Sequence, residues 1–589
     1  MPGFFGFVDK NSEQDTGLFA NMRTVLTHEP DMHIFNLSIH RGKIGMLSLN
    51  IKGYENNIYK HPGTLKTVLI DGEIYNKTEL LSLLNAPADL DNRDNLAEII
   101  YNLYTKQGEN FIFHLNGLFN ILIHDPLKNS LLIFNDRFGF KPLFYADTGH
   151  RFMFGPEVKA ILSDPDLDKE LDTSSISEFF HLDSTLQEKT FFKAIQRLKP
   201  ASKLEFCNNA LRIERYWSWN EYLSLPKIPI DTIYDHANQV FKNTITRYFH
   251  GSEVVLSLTG GFDTRMILSA VRTEHLPEST ITYGHNRHIN DNIIAARISR
   301  FMNIPHHFVS YNDLDHKVDI DLVRNAVNRT DGMMNVMATS ILLRRPWFKN
   351  KLCVTGKYGT QIFHPVDPIH KIFSRMITVP VLARELQTFP QSDFEINDQI
   401  ALTIQEECRH LWYGHYAIEN SFSIIRTPYL DNDIVKLAIQ CPKEFKLLNL
   451  QINFILQHNH HLANFPMDSG FIINKRNFRL YMEGMMLKFR HMVGRAGNSR
   501  RTPYIIARNL RHVPLFNNYT FNHKQFLDNI LKNGGYDILY DSKTATRFHL
   551  NPQLMQKFID DYRTLKTNNR YLMSRLLVFE LFLRQFCTS

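Results

Sequence analysis

Cysteine is scarce in this chain and widely spaced. Cys207, Cys353, Cys408, Cys441 and Cys587 are the only five in 589 residues, odd in number and without a C-x-x-C pair. A disulfide framework or a thiolate zinc site is therefore not expected, and a reducing, cytoplasmic setting fits. Long apolar runs are lacking as well, and none approaches the ~18 residues of a membrane-spanning helix. The opening MPGFFGFVDK has no basic stretch followed by an apolar one, so no secretory leader is expected. Repeats and low-complexity tracts are missing, and 43% hydrophobic with 22% charged residues is ordinary globular composition. His306-His307 and the histidines at 458, 460 and 461 read as surface or packing residues, because neighbours in sequence rarely converge on one metal.

Acidic residues are nearly absent from one stretch. Between residues 471 and 512 ten Lys and Arg face only Glu483, while the whole chain carries +7. The basicity is thus one local patch. Residues 478–492 mix Phe, Leu, Tyr and Met with Arg and Lys. Such a basic amphipathic helix can lie on an anionic surface or pack its apolar side on a core. No recognised nucleic-acid motif accompanies the charge.

The length suits about four domains of roughly 150 residues, or two larger ones with an extension. The first two hundred residues read as strands, turns and a few helices. A strand is expected at 65–70, turned by Asp71-Gly72, then helices at 77–84 and 96–104 and a hairpin over 117–135. From about residue 231 strands and helices alternate, which predicts a parallel sheet covered by helices. Residues 216–229 suit a link between the halves, and the chain after 466 is mostly helical in pattern.

The most informative run is Ser257-Leu258-Thr259-Gly260-Gly261-Phe262-Asp263-Thr264-Arg265. An apolar strand meets two glycines and then a helix. Glycines allow a sharp turn and close backbone approach. A helix start aims free N–H groups at the turn, which makes an anion site. Thr259 and Thr264 add hydroxyls, and Asp263 could hold a divalent cation against bound phosphates. The pattern is not G-x-x-x-x-G-K-[ST]. A tight turn without a ligand is the plain alternative.

This run resembles the SGG-x-DS pyrophosphate loop of the ATP-pyrophosphatase fold. Four further segments resemble class II glutamine-dependent asparagine synthetases, in the same order. Asp71-Gly72-Glu73-Ile74-Tyr75-Asn76 resembles NGEIYN, and the run from Asn135 to Tyr145 resembles ARDRFGIKPLYY. Phe154 to Ile161 resembles FASEIKAL, and Arg426 to Asp431 resembles RVPFLD. The resemblance implies an α+β Ntn-hydrolase-like sandwich over 1–218 and an α/β ATP-pyrophosphatase domain (adenine nucleotide α-hydrolase-like) over 219–465. A basic, mainly helical C-terminal extension would cover 466–589. The arginine after T-G-G-F-D-T is similar to asparagine-synthetase-related proteins of surface-polysaccharide and natural-product pathways. β-Lactam synthetases and lasso-peptide cyclases belong to the same broad group.

Against that family the amidotransferase half departs at each glutaminase element. Pro2 stands where the nucleophilic cysteine belongs and has no thiol to form a thioester. Asp71 replaces the oxyanion-stabilising asparagine. The arginine that grips the glutamine carboxylate is missing from 44–49, and the aspartate for its amine falls near Leu96. The resemblance therefore implies an inactive glutaminase on a retained scaffold, in which the turn from Arg137 to Lys141 fixes packing or the contact with the second half.

In the second half the resemblance implies a nucleotide site at Ser257, Thr259, Gly260, Gly261, Asp263 and Thr264. Tyr283, Gly284, Thr355 and Gly356 complete it, and Asp291 matches an acidic position. Asp263 would hold Mg²⁺. Lys357, Thr360 and Gln361 occupy the place of acids in SGEGADELF, and Asp468 that of the lysine in R-P-K-x-G-F. Lys357 and Lys475 are the candidate catalytic lysines. The implied activity is an ATP-dependent amide ligase: a small-molecule or peptide carboxylate becomes an acyl-adenylate, which ammonia or an amine then captures. A scaffold that keeps the fold without the chemistry is the competing reading. An anionic surface or a phosphorylated substrate is the expected partner of residues 475–511, and the location is cytoplasmic or membrane-peripheral.

Overall fold

The computed structural model describes residues 1–11, 17–54, 57–85, 95–249, 254–271, 275–284, 287–363, 398–442, 445, 447–473, 481–489, 523–541, 552–564 and 569–587. Two six-stranded antiparallel sheets make the first half. One runs β10-β8-β9-β1-β3-β2: Gln196–Arg197, Phe144–Asp147, Arg151–Gly155, Gly3–Asp9, Gly42–Ser48 and His33–Ile39. The other runs β12-β11-β7-β6-β5-β4: Ala210–Arg215, Ser202–Cys207, Ser130–Asn135, Gly117–Asp125, Thr67–Ile74 and Ile58–Lys60. Their inner faces share one apolar cluster, with Phe4, Ile44 and Phe154 from the first sheet meeting Leu69, Leu122 and Phe206 from the second. Helices Lys77–Leu84 and Leu96–Gln107 cover the outer face of the second sheet. The expected sandwich is present.

One expected turn is absent. β5 runs straight through Asp71-Gly72 and pairs with β6 from Thr67 opposite His124 to Ile74 opposite Gly117. Gly72 has φ 109°, and a Cβ there would lie 2.2 Å from the Leu118 carbonyl oxygen. This glycine serves close strand packing, which a local turn signal cannot distinguish from a reversal.

The second half is built on five parallel strands in the order β15-β14-β13-β16-β17: His306–Ser310, Ser279–Gly284, Val254–Ser257, Leu352–Thr355 and Ile424–Arg426. The chain fills one side of β13 first and then crosses to the other. The carboxyl ends of β13 and β16 therefore flank the switch point, where open α/β sheets bind ligands. The helix after the glycines spans Phe262–Ala270. Gly261 is its N-cap, so Asp263 falls in the first turn.

The two halves share one continuous core. Trp217 and Trp219 are buried, and Trp219 stacks on Phe138 at 5.4 Å, so the expected link is packed structure. Helix Arg570–Phe586 returns to the first half: Phe579 meets Phe179, Phe180 and Phe191 at 5.3–5.8 Å. Arg575 Nε donates to Asp183 at 2.7 Å. Among the described residues no helix is long and apolar enough to cross a membrane.

Candidate nucleotide and substrate site

β13 delivers Ser257 to the switch point, and the glycine turn follows. Thr259 ties the turn together: its N–H donates to Thr264 Oγ1 and its hydroxyl accepts from Gly261 N–H, both at 3.3 Å. Gly260 N–H donates to Asp291 Oδ1 at 2.9 Å. A Cβ on Gly260 would lie 3.1 Å from the backbone nitrogen of Asp468, so the turn and the 466–471 segment are in contact. Arg265 locks that contact from behind. Fully buried, it donates to the carbonyls of Gly260 (2.9 Å), Pro466 (3.0 Å) and Phe465 (2.6 Å). Burial lowers its pKa to about 10, so it stays charged at neutral pH. This arginine is a structural clamp, and it does not face the turn's ligand side. Burial, with the nearby Asp468 charge, raises Asp291 to about 7.

Asp263 points across the switch point to β16. Its Oδ2 accepts from Thr360 Oγ1 at 2.9 Å and its Oδ1 from Gln451 Nε2 at 2.8 Å. Tyr429 OH donates to the Asp263 carbonyl at 2.7 Å. Gly359 makes room for this: a Cβ there would sit 2.5 Å from Asp263 Cγ. Gly356 does the same for Thr264 and Asp263, at 2.8 and 2.9 Å. Gln451 is fully buried, and among the described residues its Oε1 has no hydrogen-bond partner. Asp263, the Thr360 hydroxyl and that amide oxygen are hard oxygen donors that suit Mg²⁺. Among the described residues no group of three His, Cys, Asp or Glu could hold a metal. The donors therefore fit one cation shared with a ligand's phosphates, not an all-carboxylate site.

Beside this, a pocket of about 320 Å³ opens between the strand ends, lined among others by Ser257, Tyr283, Arg344, Thr355, Lys357 and Glu419. Arg344 lies over the Tyr283 ring at 3.4 Å and donates to Tyr311 OH at 2.6 Å. It stands 3.7 Å from Glu419, which also pairs with Lys357. Lys357 is thus held in an ion pair, and its N–H donates to Thr355 Oγ1 at 3.3 Å. Gly284 ends β14 next to Tyr283. Ser257, Tyr283, Thr355 and Lys357 converge as the motifs suggest, with Thr259, Gly260, Gly261, Asp263, Thr264 and Gly356 alongside. Lys475 lies outside the described residues, as does most of 475–511. Arg344, Glu419 and Gln451 were not foreseen. They come from helical segments far along the chain, and no local pattern marks them.

The corresponding region of the first half is closed by ion pairs. Asp71 Oδ1 meets Lys141 Nζ at 2.6 Å, both buried. Burial pushes Asp71 upward against the pull of that ammonium. A Cβ on Gly3 would lie 2.9 Å from Asp71 Oδ2, so the carboxylate sits against the backbone just after Pro2. Met1 is buried, with its amino group paired to Glu157. Pro2, Asp71, Glu73 and Lys141 line a pocket of about 520 Å³ whose far wall is Tyr416, Asn420 and Ile425 of the second half. Ile425 also lines the second pocket.

The retained motifs join the halves. Glu73 accepts from Arg426 Nε at 2.9 Å and Nη2 at 2.6 Å. Asp431 accepts from Asn116 Nδ2 at 2.9 Å and from Tyr248 OH at 3.1 Å. Asp331 accepts from Val158 N–H at 2.6 Å. In the Arg137 to Lys141 turn, the Gly139 carbonyl accepts from Arg409 at 3.1 Å, and Arg137 donates to Tyr222 OH at 3.0 Å.

Residues 1–217 match the glutamine amidotransferase domain family. Asparagine synthetase [glutamine-hydrolyzing] 3 of Bacillus subtilis is 31% identical over 242 residues, 40% of this chain and 39% of that protein. Asparagine synthetase [glutamine-hydrolyzing] 2 of the same organism is 28% identical over 41% of this chain and 34% of its own length. The chain thus spans well under half of these curated relatives. A Methanocaldococcus jannaschii asparagine synthetase homologue aligns at 22% identity over 68% of this chain and 69% of its own. Among solved structures, the B. subtilis glutamine phosphoribosylpyrophosphate amidotransferase with ADP and GMP aligns at a TM-score of 0.27 and 15% identity. It covers 52% of this chain and 65% of that one.

Proposed function

We propose that this chain, which is similar to asparagine synthetases and matches the glutamine amidotransferase domain over residues 1–217, is an ATP-dependent amide-forming ligase that has no glutaminase of its own. The observation that carries this reading is the Gly260-Gly261 turn at the switch point of the parallel sheet, opening beside a pocket that holds Arg344, Lys357 and Glu419.

A substrate carboxylate attacks the α-phosphorus of ATP, pyrophosphate leaves, and ammonia or an amine then displaces AMP from the acyl-adenylate. The Gly261 turn and the helix start at Phe262 present N–H groups to the phosphates. Asp291 yields Gly260 N–H when a phosphate takes its place, and a protonated Asp291 yields it most readily. Arg344 and Lys357 offset negative charge in the pocket, where positioned charge lowers a barrier without reorganisation. Mg²⁺, when bound at Asp263 with Thr360 and Gln451 alongside, supplies charge neutralisation for the phosphates. Pro2 supplies no thiol, and the Asp71–Lys141 pair fills the ground beside it, so nitrogen comes from ammonia or an amine and not from glutamine.

Pyrophosphate release from ATP, measured over a panel of carboxylates with ammonia or amines, tests the reading. Asp263→Ala should lower release on the order of 100-fold, the range seen when one positioned charge contact is removed. ATP binding without release for any carboxylate would leave a nucleotide-binding scaffold.

A further inference from the structure

Within the basic region, residues 481–489 form a helix. Five of its side chains, Tyr481, Met482, Met485, Met486 and Phe489, are 45–62% exposed. At 100° per residue they fall on one arc of about 140°. The opposite side is the fixed one. Leu487 is buried, and a Cβ on Gly484 would sit 2.7 Å from the Gly470 carbonyl. Asn290 Nδ2 reaches the Leu487 carbonyl at 3.4 Å, and Glu483 pairs with Arg297. A helix of a globular protein normally turns its apolar stripe inward. Here the stripe faces out, and contiguous exposed apolar surface of this kind marks an interaction site.

Charge selects the occupant. Ten basic residues and one acid lie between 471 and 512, and that acid, Glu483, is already neutralised by Arg297. An apolar stripe flanked by the exposed Lys488, in a stretch whose sequence is strongly basic, complements an anionic lipid surface, with rings and thioethers among the acyl chains. We propose that the exposed face of helix 481–489 docks on an anionic membrane surface.

The position of the patch gives this a consequence for the ligase. Phe471, 43% exposed, meets Phe262 edge-on at 5.8 Å, and Phe262 is the first residue of the helix after the glycine turn. Docking therefore brings the nucleotide turn close to the lipid surface and suits a carboxylate or amine substrate held there. That extension rests on the ligase reading, whereas docking itself is measured without turnover, so the two fail separately.

The test is co-sedimentation of the full chain with vesicles of phosphatidylcholine alone or mixed with phosphatidylserine, at low and high salt. Expected is binding to the mixed vesicles at low salt, at least about tenfold above phosphatidylcholine alone and lost at high salt. Met486→Glu with Phe489→Glu should lower it about tenfold with an unchanged melting curve, because both side chains are exposed. Absence of low-salt binding overturns the proposal, as does equal binding to both vesicles or binding indifferent to the double variant. Self-association that the variant abolishes, without vesicle binding, would assign the face to a second copy. Preferential capture of single-stranded DNA would overturn the lipid assignment.

Discussion

The two halves of the chain treat buried charge in opposite ways. In the first, Asp71 is matched by Lys141, and Glu73 by Arg426, so the pocket near Pro2 is walled by satisfied pairs. In the second, Asp291 and Asp468 stand near each other at the glycine turn, which raises Asp291, and Asp263 accepts from the neutral side chains of Thr360 and Gln451. Paired charges hold a structure together but leave little to react. Carboxylates held by weak or neutral partners can be displaced by a ligand or a metal. On the proposed reading the first half is a support and the second carries the site.

The largest expected contrast is in glutamine hydrolysis. The chain should release no glutamate above a blank, and Pro2→Cys should release none either, because Asp71 and Lys141 still fill the neighbouring ground. Glutamate from either protein would break the comparison.

Next in size is the contact between the halves. Arg426→Met leaves the part-buried Glu73 without its cation, which costs up to about 3 kcal/mol, below the range for a fully buried pair. Denaturant midpoints should fall accordingly, and adding Glu73→Leu should restore part of the loss. No change on Arg426→Met would mean that the pair does not join the halves.

The smallest effect sharpens the comparison at the glycine turn. Burial and the Asp468 charge raise Asp291 to about 7, so the folded chain holds a proton that the unfolded one releases. That contribution is full at low pH and is lost as pH rises from about 4 to about 7. Asp291→Asn should flatten this part of the stability curve. It should also make nucleotide binding less sensitive to pH between about 6 and about 8, because a charged Asp291 competes for Gly260 N–H and asparagine does so weakly. Parallel pH profiles for parent and variant would sink the idea.

Much of this was legible locally. Helix Lys77–Leu84, the hairpin of β6 and β7, and the β-α-β rhythm from residue 231 follow from apolar periodicity and turn residues. The glycine turn reads correctly because strand, glycines and helix start are contiguous. Asp71-Gly72 misleads because the same dipeptide that makes turns also lets strands approach closely, and only the partner strand decides between them. Arg265 follows the motif directly, yet its role appears only when segment 462–466 arrives behind the turn.

By itself the sequence determined the two kinds of sheet, the strand-to-helix turn at Gly260-Gly261 and a proline, without a thiol, at position 2, because each depends on neighbours within a few residues. Tertiary structure alone decided that Lys357 pairs with Glu419, that Gln451 and Thr360 hold Asp263, and that Asp71 finds Lys141. It also decided that the Met-rich face of helix 481–489 points outward. These contacts join residues tens to hundreds of positions apart. Each is selected by burial, which makes an unpaired charge costly wherever the fold places it.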